Sequence, residues 1–133
     1  MIKFSVIASR WFRQAEADLN AAKNSMKSKN YDWSCFQSQQ AAEKAIKAFL
    51  YKRGYTSIIT HSLRELIIEA EKKEKIFSDV KEAAKFLDMY YIPTRYPNGL
   101  AGNLAPFEFY EEEDANKCIN YAESILILVR KLI

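Results

Sequence analysis

The chain is poor in residues that interrupt a helix. Three glycines and three prolines occur among 133 residues, and none precedes Gly54. The first 53 residues therefore carry neither breaker, while Ala, Lys, Glu and Leu, the strong helix formers, are plentiful. Cysteine is scarce too. Cys35 and Cys118 are far apart in sequence, no CxxC pair exists, and the single histidine, His61, cannot complete a common zinc set with them. Two unpaired thiols on helices fit a reducing, cytoplasmic setting. No apolar run approaches the ~18 residues that a membrane span requires. The N-terminus lacks a basic-then-apolar targeting pattern, because Arg10, Arg13 and Glu16 follow quickly on the short apolar stretch. There is no internal repeat, P-loop, GxGxxG, HExxH, nucleophile elbow or carboxylate pair of recognisable spacing. These absences imply no cofactor and no metal, and they weigh against an enzyme.

What is present describes a folded helical domain. Apolar residues make up 49% of the chain and charged residues 28%, a globular balance, and 133 residues fit one domain. The expected class is all-α, an up-and-down bundle of about five helices. Trp11, Ala15, Leu19, Ala22 and Met26 recur at helical spacing, which places a first helix over about 9–27 with Ser9 as its cap. A second helix spans about 32–53, closed by Gly54. Ser62 and Glu65 read as a capping box opening a third helix over 63–73. A fourth starts near Ser78 and runs through Tyr91 to stop at Pro93, because the residue before a proline avoids helical backbone. Residues 93–110 hold all three prolines and two of the three glycines, a long loop whose aromatics imply packing. A last helix covers about 112–131, with acidic residues at its start and Arg130 and Lys131 at its end, as the helix dipole favours.

Charge is uneven. Residues 1–60 carry ten Lys/Arg against four Asp/Glu, whereas residues 61–133 carry ten against thirteen. Such a basic half is either a set of solvated helix faces or a surface for phosphate. Gln37, Gln39, Gln40 and Glu43, with Lys44 and Lys47, make the second helix polar near its core face, although Lys44, Lys47 and Lys52 lie largely to the other side. A buried Glu43 needs a cationic or donor partner, and Arg95 is a candidate. His61, one residue before the third helix's cap, is either a structural histidine bonded to a neighbouring backbone or carboxylate group, or a donor to an anion at the helix start. Arg95 and Tyr96 together offer a planar donor fork and a stacking ring, which suit phosphate and base. Tyr90 and Tyr91 are adjacent, so they cannot both face one core.

Taken in order, the runs Trp11-Phe12-Arg13-Gln14-Ala15-Glu16-Ala17-Asp18-Leu19, Tyr31 through Ala48 (with Gln39-Gln40-Ala41-Ala42-Glu43-Lys44), His61-Ser62-Leu63-Arg64-Glu65-Leu66 and Tyr91-Ile92-Pro93-Thr94-Arg95-Tyr96-Pro97 resemble the HEPN family over nearly the whole chain. The resemblance implies a helical homodimer, a small cytosolic prokaryotic protein, and a partnership with a minimal nucleotidyltransferase in a two-gene pair. The family's name records a proposed nucleotide-binding role, and many members are ribonuclease toxins. Their motif is an arginine followed about four to six residues later by histidine. Here Leu100, Ala101 and Gly102 follow Arg95 instead, and no histidine lies beyond it. Three readings follow. The first is a nucleotide-binding or partner-docking module using Glu43, Lys44, Lys47, His61, Arg95 and Tyr96. The second is a ribonuclease with an atypical set such as Arg95, His61 and Tyr96. The third is a structural partner without a ligand of its own.

Overall fold

The computed structural model describes residues 2–133, and the long N-terminal half is a helical hairpin. Helix α1 runs Ile2–Lys27 and helix α2 Tyr31–Lys52. Side-chain pairs Ser25–Gln37, Asp18–Lys44 and Ser5–Lys52 step in opposite directions along the two helices, so they are antiparallel. The turn between them is closed by Lys29 at φ 63°, a left-handed residue. Helix α3 spans Leu63–Lys73, a 3-10 segment covers Lys75–Val80, α4 spans Lys81–Asp88, the short α5 Pro106–Phe109, and α6 Glu112–Arg130. Ion pairs Lys23–Glu123 and Glu16–Arg130 set α6 antiparallel to α1. No strand occurs among the described residues.

Small residues let these helices approach closely. Ala41, Ala42, Ala45 and Ala48 of α2 are fully buried, as are Ala15 and Ala22 of α1 and Ala115 and Ala122 of α6. Larger side chains fill the remaining space in one continuous core, where the rings of Phe49 and Phe77 meet at 4.7 Å. Gly54 at φ 93° ends α2, with Tyr55 N–H donating to the Leu50 carbonyl and Gly54 N–H to Tyr51, a paired closure that needs the left-handed residue.

The structure departs from the sequence expectations in three places. First, α1 begins at Ile2, so Ser9 lies inside the helix and caps nothing; Phe4 and Ala8 extend the inward stripe with no breaker to interrupt it. Second, α4 is an eight-residue helix ending at Asp88, not a helix running to Pro93. Pro93 alone would allow the helix to reach about residue 91; instead it closes with tighter three-residue bonds, from Met89 N–H to the Phe86 carbonyl and from Tyr90 N–H to the Leu87 carbonyl. Third, the Ser62 hydroxyl accepts from Glu65 N–H at 3.3 Å, as a capping box requires. The Glu65 carboxylate, however, accepts from the Thr60 hydroxyl instead of turning back to the cap.

The loop after α4 is folded. The Thr94 hydroxyl donates to the Tyr90 carbonyl at 2.6 Å, and Pro97–Gly99 forms a 3-10 turn that folds back on Pro93. A Cβ on Gly99 would sit 2.9 Å from the Pro93 Cα, so this approach requires glycine. Tyr110 is buried beside Tyr90, with ring centroids 5.7 Å apart, whereas Phe107 remains 73% exposed. Burial raises the Tyr90 phenol and pushes Tyr110 up to about 12. It also raises the Cys118 thiol, which lies against Cys35 in the core. Among the described residues no helix is long and apolar enough to cross a membrane.

Candidate functional site

Glu43 is the chemical centre of the polar face of α2, and it is 3% exposed. A carboxylate so placed needs donors on both oxygens. Lys47, one turn further along, supplies the principal one, with Nζ 2.9 Å from Oε2. His61 Nδ1 lies 3.1 Å from the same oxygen, while the Gln39 and Gln40 amides approach Oε1 at 3.4 Å. Two expectations are thereby corrected. Lys47 does not point away from the core, since its side chain is only 5% exposed. Nor is Arg95 the partner of Glu43. The α2 spacing explains both: residues 43 and 47 share one face, so the cation nearest Glu43 is intrahelical.

His61 connects this buried pair to the surface. An ionised carboxylate accepts only, so Nδ1 carries the hydrogen toward Glu43 and a neutral ring leaves Nε2 bare. The side chain is about half exposed. Its ring stacks on Tyr91 at 5.1 Å and 16°. The expectation that His61 helps an anion at the α3 start meets an occupied position. The Asp88 carboxylate already accepts from Leu63 N–H at 2.7 Å and Arg64 N–H at 3.0 Å. Asp88, the last residue of α4, thus caps α3 and neutralises the positive end of its dipole.

Arg95 packs on the same aromatic group. Its Nε donates to the Tyr91 carbonyl at 3.0 Å, which fixes the fork. Its guanidinium carbon sits 4.6 Å from the centroids of Phe36 and Tyr91 and 5.1 Å from that of Tyr96. Among the described residues no carboxylate comes within ion-pairing distance of it. Such a guanidinium is held by rings and one carbonyl and still has its terminal N–H groups to offer. Tyr96 is half exposed beside it. Tyr91 is therefore the hub, touching both His61 and Arg95, while Tyr90 turns into the core; the two adjacent tyrosines do face opposite ways.

The structure links Glu43, Lys47, His61, Arg95 and Tyr96 in one chain of contacts through Tyr91, from the middle of α2 to the loop after α4. It leaves Lys44 elsewhere, paired with Asp18 at 2.6 Å on the α1–α2 side. Sequence reasoning missed Tyr91, Phe36 and Asp88. Only Tyr91 left a usable signal, four residues ahead of Arg95.

This arrangement can be set against known proteins. The family model described as "HEPN domain" matches residues 8–132. The chain belongs to the HEPN family. A Methanocaldococcus jannaschii protein named "Putative toxin MJ1304" is 32% identical over 92% of this chain and 86% of its own. Among solved structures, TT1696 from Thermus thermophilus is 35% identical with a TM-score of 0.88, covering 95% of this chain and 98% of its own. ST0689, described as an archaeal HEPN homologue, is 38% identical with a TM-score of 0.77 over 93% of this chain and 95% of its own. This HEPN chain shares their all-α fold across nearly its full length.

Proposed function

We propose that this HEPN domain is a binding module that takes the phosphate of a nucleotide at the Arg95–Tyr91–His61 end of the bundle. We further propose that it acts as a homodimer beside a minimal nucleotidyltransferase in a toxin–antitoxin-like pair. The observation that carries the ligand reading is Arg95. A guanidinium seated on three rings and lacking a carboxylate partner among the described residues combines a charged fork with stacking surface, the two elements a nucleotide recognises. The toxin-like setting draws support from the name of the Methanocaldococcus jannaschii relative. Calorimetric titration with ATP and GTP tests the ligand reading. Heat is expected with the native chain and a loss of at least about tenfold in affinity with Arg95→Ala, the scale of a charged hydrogen-bonding group. No heat with either nucleotide leaves partner docking as the function of this end.

A second reading is favoured by one contact. Glu43 lies 3.1 Å from His61 Nδ1, and the imidazole is about half exposed, the arrangement of a histidine held by a carboxylate to act as a general base through its other nitrogen. His61 would then serve beside Arg95 in place of the histidine missing after it, making the protein a ribonuclease with an atypical site. Purified protein that cuts RNA, and stops doing so in both His61→Ala and Arg95→Ala, would establish this reading; intact RNA would remove it.

A further inference from the structure

The basic first half of the chain is not accounted for by the Arg95 end. Of its ten cations, Lys23, Lys44, Lys47 and Arg53 are ion-paired. Along α1, Lys3, Arg10, Arg13 and Lys27 have no carboxylate within 4.0 Å among the described residues. One of these, Arg10, opens onto a cleft of about 420 Å³ between α1 and α2, lined also by Ile7, Trp11, Gln14 and Lys44. The volume lies in the small-ligand range of about 300–1,000 Å³.

The walls of this cleft are fixed in place. Trp11 packs against Tyr51, with centroids 5.3 Å apart, and the buried Lys47 ammonium lies 5.7 Å from its ring. The indole therefore forms a rigid flat wall. Lys44 is held by Asp18 at 2.6 Å, and the Gln14 amide donates to the other Asp18 oxygen at 2.9 Å. Asp18 is thus already matched on both oxygens. An ammonium has three donors, and Asp18 occupies one, so Lys44 is positioned and still has two to offer. Arg10 supplies an unmatched positive charge and a planar donor fork on the same cleft.

We infer that this α1–α2 cleft is a second ligand site, which takes a small phosphorylated compound carrying a flat ring, of nucleoside-monophosphate size. Arg10 and Lys44 hold the phosphate while the ring lies along Trp11 and Ile7. Phosphate alone would leave the indole wall uncovered, and a neutral ring would leave Arg10 without its counter-charge. The site uses neither Arg95 nor His61, although the buried Lys47 ammonium touches both Glu43 and the Trp11 ring.

The chain reports on it directly. It has two tryptophans, and Trp33 belongs to the other end, packed edge-on against Phe36 at 6.1 Å. Trp33 is about half exposed, so Trp33→Phe leaves the fold intact and Trp11 as the sole indole. Adenosine 5′-monophosphate is titrated into this variant at low salt while Trp11 fluorescence is followed. Saturable quenching at millimolar ligand or below is expected. Inorganic phosphate should leave the fluorescence unchanged but raise the concentration of nucleotide required. Arg10→Ala, at an exposed position where a substitution usually costs the fold little, should weaken binding about tenfold, and Arg95→Ala should leave the Trp11 signal in place. Absence of quenching would overturn the proposal. So would quenching indifferent to Arg10→Ala, or quenching lost with Arg95→Ala, which would move the ligand to the other end.

Discussion

Replacing Lys47 by methionine probes the buried pair on which the His61 geometry rests. The substitution keeps the stem length but removes the ammonium, and with it the charge that lies 5.7 Å from the Trp11 ring. Glu43, 3% exposed, is then left with His61 at 3.1 Å and two amides at 3.4 Å. Removing one member of a buried ion pair costs about 3–5 kcal/mol, because the remaining charge has been taken out of water without its partner. The residual donors place the expected loss near the lower end, about 3 kcal/mol, against a total stability of roughly 5–15 kcal/mol for a domain. At a urea slope of about 2 kcal/mol/M, the unfolding midpoint should fall by about 1.5 M. Far-ultraviolet dichroism across a urea series measures it. The paired substitution Glu43→Gln with Lys47→Met removes both charges and should recover most of the loss, since two neutral groups no longer need each other. A single-variant loss below about 1 kcal/mol, or a double variant no better than the single, would refute the assignment of Lys47 as the partner that makes a buried Glu43 tolerable.

Two further perturbations address the ends of this construction. Asp88→Ala strips Leu63 and Arg64 N–H of their acceptor, and should cost about 1–2 kcal/mol; thermal denaturation reads the loss, and faster hydrogen exchange at those two amides locates it. At alkaline pH the sign follows from Tyr110. Its folded-state phenol is raised from 10.0 to about 12, so the unfolded chain releases this proton first. The contribution is fully present below pH 10 and is lost as pH climbs from about 10 toward 12. Tyr110→Phe should flatten that decline in a pH series of urea midpoints; an unchanged slope would show that the phenol is not shielded.

How much of this was legible in the sequence depends on the range of the interaction. α2, α3 and α6 were readable because apolar spacing, Gly54, Ser62 and the charges at the α6 ends are local signals, each acting within a turn or two. The end of α4 was misplaced because Pro93 bars helix only next to itself, while the chain closes earlier through the Met89 and Tyr90 N–H bonds, and the Tyr90 carbonyl is taken by the Thr94 hydroxyl. Asp88 as the cap of α3 could not be read at all. The acceptor lies 25 residues from Leu63, and nothing in the spacing of either helix indicates which carboxylate will close the other. Tyr91 belongs to the same class: its ring meets His61 from across the bundle, and only its own carbonyl contact with Arg95 is local.

Lys47 is the instructive error, because its signal was present. Once Glu43 is placed inward, the residue one turn later shares its face, and that residue is Lys47. Placing Lys47 largely on the other side weighed residue type over geometry. A lysine is rarely buried in isolation, but a buried carboxylate changes the balance, since its desolvation is offset best by a cation that the same helix already holds in register. The consequence reaches the site. With Lys47 matched to Glu43, Arg95 is released from the structural duty that the sequence assigned to it. Its guanidinium is held by three rings and the Tyr91 carbonyl, with no carboxylate paired to it among the described residues. On the proposed reading, the Lys47–Glu43 pair is what leaves Arg95 free for a ligand.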